Sequence, residues 1–431
     1  MAFNADIQVL TQPGSTGNQT YSLASNFDPK AVILWATPQT ADGSAASWAY
    51  GIGVGTYRGS AVQQRYVAIR GLDAAASADT ARGAGSDALL VLHTQSAGAS
   101  TRDLEIDLVS MQTGGTSEVV LNWVNLHTTA SIRVFMLVLG GSDITDALVD
   151  EYAFTTSTTN HDETVVSGFG KPELIFFLRG AIADADAAAN AQLGFGFAKQ
   201  GEAGRCFSFG QTDGNTASIT AVWQRSDRCF IAQGDGSSAA ESIAQLNTTV
   251  SSWPTDGFRL TTDANPLDVN VVRYLALRTS AQITTGSNSA PAATGDQDNN
   301  AGFVPKLGLL FGWNIAASAS QQTAAADQVG FGIGGYDGST EAWAGFTEDD
   351  AALTMDSNMQ QSTAKSIRNY SPAAALQSEA DGAFSGNNFR LSWNDADTVA
   401  REYQWIAIGD AAAAAAGAIV WQPYTPTVYI P

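Results

Sequence analysis

The chain has 431 residues, with 42 acidic against 21 basic side chains and a formal net charge of −21. A surface of that sign repels phosphate backbones and anionic lipid heads, which argues against nucleic acid as a partner and is compatible with simple solubility. Forty-two glycines and only 15% charged residues describe many short strands joined by turns. The length suits about three domains of roughly 100 to 150 residues.

The start, Met1-Ala-Phe-Asn-Ala-Asp-Ile, has neither a basic nor an apolar targeting region, so no Sec export is expected. No stretch approaches about 18 uninterrupted apolar residues, so no membrane insertion is expected either.

The first strongly apolar element follows Asn26-Phe-Asp-Pro-Lys and runs Ala31-Val-Ile-Leu-Trp35. Proline fixes φ and removes a donor, which suits strand entry, and a run apolar on both faces predicts a central, fully covered strand. Next comes Tyr50-Gly-Ile-Gly-Val-Gly55, alternating glycine with apolar residues. One face of such a strand is bare, so it must curve or lie against a bulky neighbour such as Trp35. Asp103-Leu-Glu-Ile-Asp-Leu108 has one acidic and one apolar face, as a half-solvated antiparallel strand does. Leu121-Asn-Trp123 then leads to the apolar strand Val134-Phe-Met-Leu-Val-Leu139.

The same order returns twice. Gly168-Phe-Gly-Lys-Pro-Glu-Leu-Ile-Phe-Phe177, Leu193-Gly-Phe-Gly-Phe197, Leu260-Thr-Thr262 and Val272-Arg-Tyr-Leu-Ala-Leu277 form a second series. Gly302-Phe-Val-Pro-Lys-Leu-Gly-Leu-Leu-Phe311, Val329-Gly-Phe-Gly-Ile-Gly334, Leu391-Ser-Trp393 and Tyr403-Gln-Trp-Ile-Ala-Ile408 form a third. The first glycine follows the opening phenylalanine by 24, 25 and 27 residues, and positions 123, 262 and 393 each precede an aromatic, Phe135, Tyr274 or Trp405, by 12. Self-similarity of this kind marks tandem units.

The expected fold is therefore all-β: three tandem β-sandwich repeats, jelly-roll-like, at 1–142, 143–281 and 282–410. The polar stretch from Ser280 to Asn300 reads as a linker. Residues 411–431 are apolar and proline-punctuated, an extended tail whose Trp421, Tyr424 and Tyr429 are candidate assembly contacts with a second copy of the chain.

The search for chemistry yields no assigned catalytic, cofactor or metal residues, and the expectation is a non-enzyme. His93, His127 and His161 stand apart, and none forms a metal-spaced pair. Asp103/Glu105/Asp107, Asp184/Asp186 and Asp349/Asp350 supply paired carboxylates, but alternating acids usually mark a solvated face. Asp184-Ala-Asp186 and Asp296-Gln-Asp298 offer oxygen ligands for calcium without the spacing of an EF-hand loop. Cys206 and Cys229, each in an Arg-Cys-Phe triplet, could be brought close by neighbouring strands, which leaves a bond between them open, and two buried free thiols made in a reducing cytosol are the first expectation. Trp48, Trp223, Trp253 and Trp343 lie outside the matched strands and are candidate ligand or partner contacts on loops.

The combination Phe-x-Pro-Lys-Ala-Val-x-x-Trp, a Gly-x-Gly-x-Gly strand, and Phe-Arg-Leu-x-Trp leading to an aromatic-Ile-Ala-Ile-Gly strand resembles repeats in tailed-phage virion proteins. The second unit departs from it, with Gly-Lys-Pro in place of Pro-Lys and no tryptophan where Trp123 and Trp393 stand. The resemblance implies a tail-fibre, spike or head-decorating component of a virion, present in several symmetric copies, contacting other virion proteins and the host surface. The rival readings are a multivalent lectin-like binder of host glycans, using the loop aromatics, and, third, a polysaccharide depolymerase.

Overall fold

The computed structural model describes residues 2–73, 77, 79–95, 101–112, 117–155, 158–180, 182–214, 220–233, 244–263, 271–312, 329–349, 356–399 and 401–412. Among these the protein is all-β, with several antiparallel sheets and no helix.

The strands run β1 (Asn4–Thr11), β2 (Gly17–Ser22), β3 (Pro29–Ala36), β4 (Gly43–Ala46), β5 (Trp48–Arg58), β6 (Ala61–Gly71), β7 (Thr80–Gly85), β8 (Leu90–His93), β9 (Arg102–Gln112), β10 (Glu118–Asn125) and β11 (Arg133–Gly140). Next come β12 (Ile144–Ala153), β13 (Asn160–Thr164), β14 (Leu174–Arg179), β15 (Ala185–Ala189), β16 (Ala191–Lys199), β17 (Arg205–Gln211), β18 (Thr220–Arg225), β19 (Phe230–Gln233), β20 (Ala244–Ser252), β21 (Gly257–Thr262) and β22 (Val271–Thr279). The last are β23 (Ala281–Ser289), β24 (Gly295–Asn300), β25 (Leu307–Phe311), β26 (Val329–Tyr336), β27 (Glu341–Glu348), β28 (Ser357–Ser362), β29 (Ile367–Tyr370), β30 (Leu376–Ser385), β31 (Asn388–Asp395) and β32 (Glu402–Ala411).

One strand order occurs three times. β1-β11-β3-β5-β6-β7, β12-β22-β14-β16-β17-β18 and β23-β32-β25-β26-β27-β28 are the three large sheets. Each is backed by a four-stranded sheet: β2-β10-β9-β8, β13-β21-β20-β19 and β24-β31-β30-β29. The consecutive runs β5-β6-β7 and β8-β9-β10 are meanders.

Side-chain alternation explains why these runs are apolar on both faces. On β3, Val32, Leu34 and Ala36 point into the core between the paired sheets, whereas Ala31, Ile33 and Trp35 point the other way. The second face meets its counterparts: Phe176 and Leu178 of β14, Phe195 of β16, Leu309 and Phe311 of β25 and Ile406 of β32 belong to the same buried cluster as Trp35. The three large sheets therefore face one shared core, and a small apolar cavity there is lined from all three, by Trp35, Phe176, Phe195, Phe311 and Ile333 among others.

The bare faces of the first two glycine strands meet backbone rather than the aromatics expected, whereas on the third a Cβ on Gly334 would lie 2.3 Å from Ser366 O but Gly332 lies against the Trp343 ring. A Cβ on Gly53 would lie 1.5 Å from Leu89 O, one on Gly51 2.3 Å from Val91 O, and one on Gly196 2.0 Å from Cys229 O. The bare face lets the backing sheet approach main chain to main chain. Aromatics also fill glycine hollows outside these strands: Trp48 at Gly71, Trp405 at Gly286 and Phe389 at Gly308.

The constant 12-residue spacing does not end on equivalent positions. Tyr274 and Trp405 point between their paired sheets, whereas Phe135 lies on the shared-core face and Met136 occupies the intersheet side. Residues one apart on a strand face opposite ways, so the first series carries one extra residue. The polar stretch Ser280–Asn300 is likewise no linker, because β23 pairs with β32 over Ala281–Ser289 and β24 with β31 over Gly295–Asn300. Pairing with a neighbour overrides composition there.

Two short strands leave the sheet pair in which they arise in sequence. β4 pairs with β28, Ala45 opposite Met359 and Gly43 opposite Gln361, and β15 pairs with β7, Ala185 opposite Ala84 and Ala189 opposite Ala81. Each covers a sheet edge that would otherwise display unpaired N–H and C=O groups.

Candidate functional site

Hydrogen bonds and ion pairs cross the seams between the sheet pairs. Each first strand reaches a neighbouring pair. Ile7 N donates to Asp337 Oδ2 (2.7 Å) and Phe3 N to Asp410 Oδ1 (2.9 Å), which Lys306 also contacts at 2.7 Å. On β12, Asp146 receives Arg58 and Asp150 receives Arg65, at 3.0 and 3.2 Å. On β23, Thr285 Oγ1 donates to Glu202 Oε2 (2.6 Å). The seams thus close a ring: first on third, second on first, third on second.

The first–second seam is charged. Arg273 is fully buried on β22, and its Nη2 lies 2.8 Å from Asp184 Oδ1, which arrives with the segment leading into β15. Ser86 Oγ donates to the other Asp184 oxygen (2.8 Å), and Arg273 Nη1 donates to Ile182 O (3.3 Å). Arg179 is buried beside Arg82, and burial together with that like charge pulls its pKa down to about 9.

The first–third seam is built around an indole and a carboxyl. Trp48 opens β5, stacks on Phe346 of β27 at 4.6 Å between centroids, and meets Phe209 of β17 edge-on at 5.6 Å. Its Nε1 donates to Glu348 Oε2 at 2.7 Å, and Ser357 Oγ of β28 donates to the same oxygen at 2.9 Å. Thr220 Oγ1 of β18 donates to the carbonyl of Asp349 (2.9 Å), so all three sheet pairs meet within a few residues. Glu348 is completely buried, and desolvation pushes its pKa well above the carboxylate range despite the two donors, with Asp349 adding to the effect.

The tryptophans expected on loops are elsewhere. Trp48, Trp223 and Trp343 lie on strands and expose none of their surface. Trp343 fills the hollow over Gly332, and Trp223 packs with Cys206 and Ile231. None of the three presents a surface to a ligand or partner as folded. Trp253 is half-buried, packed against the intersheet core of the second pair. Trp421, Tyr424 and Tyr429 lie outside the described residues.

The carboxylates proposed for calcium have protein partners. Asp184 is taken by Arg273 and Ser86, while Asp296 and Asp298 flank Arg390 at 2.8 and 2.7 Å. The Asp186 side chain and Asp350 lie outside the described residues, and among the described residues no group of three His, Cys, Asp or Glu is placed to hold a metal. Of the acids on β9, Asp103 turns inward to His127 Nε2 (3.1 Å) and accepts from Thr128 N and Oγ1. Asp107 is half-buried and pushed up to about 6 by burial and then by Glu105. All three histidines are buried; His161 packs edge-on against Phe154 at 4.6 Å. Both cysteines are buried free thiols.

Sequence reasoning missed Glu348, Arg273 and Arg179. A Glu-Asp-Asp run reads as a solvated turn, and isolated arginines in strands read as exposed ends. No protein-family model matches this chain, and no curated protein matches it as a relative.

Proposed function

We propose that this chain is a non-enzymatic structural component of a tailed-phage virion, a tail fibre, spike or head-decorating protein. In this reading it consists of three tandem β-sandwich repeats at 1–142, 143–281 and 282–410, with 411–431 as an extended assembly tail that pairs with a second copy. It works beside other virion proteins, after synthesis in the host cytoplasm, and its outward loops reach the host surface.

The single observation that carries the reading is the interlocking. Three sheet pairs of one strand order share a core, reach into one another through the first strand of each, and exchange β4 and β15. Such an arrangement resists separation of its parts, which is the property a particle component needs. The lectin reading is not carried forward, because Trp48, Trp223 and Trp343, the side chains it relied on, are buried.

Quantitative mass spectrometry of density-purified particles, scaled to the capsid subunit, tests the proposal. A fixed copy number in multiples of three, five or six supports a virion component; absence from particles overturns it.

A further inference from the structure

The strand β4 leaves the first sheet pair and lies on the third through only four residue pairs, Gly43–Ala46 against Asn358–Gln361. So short a pairing is marginal by itself. Its root is strained: Ser47 has φ +60°, a left-handed conformation unusual for a residue with a Cβ. A closed set of bonds holds that root. Ser47 N donates to Ser357 O (3.1 Å), Ser357 N to Asp73 Oδ1 (2.8 Å), and Asp73 N to Ser47 Oγ (3.0 Å). Ser357 also donates its hydroxyl to Glu348, the carboxyl that holds Trp48, the residue after Ser47.

We propose that Glu348 is a proton-dependent latch, holding β4 and Trp48 on the third sheet pair while it is neutral and releasing them when it ionises. The groups around the carboxyl support this. β5 supplies the Trp48 indole and β28 the Ser357 hydroxyl, and the indole is itself walled by Phe209 of β17 and Phe346 of β27. The charged neighbours are acidic: Asp349, the next residue along the chain and itself 8% exposed, and Asp73, one bond further out through Ser357. β18 contributes Thr220, which donates to the Asp349 carbonyl. Loss of the proton to solvent therefore leaves a charged carboxyl in a dry seam beside Asp349, with its Oε1 buried and without a hydrogen-bond donor. The nearest relief is water entry along β4, the shortest pairing of the seam.

Hydrogen exchange followed by mass spectrometry, corrected for intrinsic rates, tests the latch on the full chain from pH 6 to 10. In the wild type, protection of 43–47 and 357–362 falls at least tenfold as pH rises, while the other transferred strand, 185–189 on 81–84, stays protected. In Glu348→Gln the amide oxygen accepts from Trp48 and Ser357 and no charge can develop, so protection persists across the range. Protection of β4 that is flat with pH in the wild type, or loss at both transferred strands together, overturns the proposal without reference to the variant. So does Glu348→Gln opening in step with the wild type.

Discussion

Trp48 Nε1 donates to Glu348 Oε2 at 2.7 Å across 300 positions of sequence, joining the first and third sheet pairs beside a face-to-face contact with Phe346. Truncating this side chain removes stacking, filled volume and the donor of a buried carboxyl at once. Trp48→Ala is expected to cost about 3–5 kcal/mol, and Trp48→Phe less, because it keeps most of the packing. Urea unfolding followed by circular dichroism measures both.

The glycine strands make a contrasting pair of substitutions. A Cβ on Gly53 meets the Leu89 carbonyl at 1.5 Å, and backbone cannot step aside. Gly53→Ala is expected to cost upwards of ~3 kcal/mol or to prevent folding. Gly59 has φ +56° with open space around it, so Gly59→Ala carries only the left-handed penalty of about 1–2 kcal/mol. Equal losses at the two sites would contradict the close approach of β8 to β5.

Stability should fall as pH rises through neutrality. Burial pushes Glu163 and Glu341 up to about 7 and Asp107 up to about 6. Each binds its proton more tightly in the folded chain than in the unfolded one. Their contribution is fully present below the ordinary carboxylate range and is lost as pH rises through about 6 to 7. Asp227, held low by Arg225, and Asp256, held low by the Gly168 and Gly170 amides, act oppositely and favour folding above their ordinary range. The urea midpoint is therefore expected to be higher at pH 5 than at pH 8, and Glu163→Gln with Glu341→Gln should flatten the difference. A midpoint that rises from pH 5 to 8 would count against the burial of these carboxyls.

Both cysteines are expected to be silent to a thiol reagent in the folded protein. Burial raises the pKa of Cys206 and Cys229 alike, which suppresses the thiolate as well as access to it. Titration with a disulfide reagent should find no fast thiol in native protein and two after denaturation.

Much of the architecture was legible because the rules behind it are local. Proline followed by an unbroken apolar run means a strand covered on both faces, and β3, β14 and β25 are such strands. What Trp35 and Phe177 face was not legible, because the shared core and an intersheet core present the same apolar residues to the reader. Period-two alternation likewise found β9 but not the inward turn of Asp103 to His127, which depends on a residue 24 positions away. The tryptophans misled for a related reason. Trp48 and Trp343 open or occupy strands whose glycine partners make room for an indole, and a Gly-rich neighbourhood without pairing information reads as a loop. The seams carry no local signature at all: Arg273 meets Asp184, and Trp48 meets Glu348, through long-range register alone.

The central claim is that three sheet pairs form one interlocked unit, and equilibrium unfolding of the full chain tests it most directly. Tryptophan fluorescence, far-ultraviolet circular dichroism and hydrogen exchange in each sheet pair should trace one coincident denaturant transition, and residues 144–280 expressed alone should fail to reach a cooperative fold. Three separable transitions, with a stably folded 144–280, would contradict it.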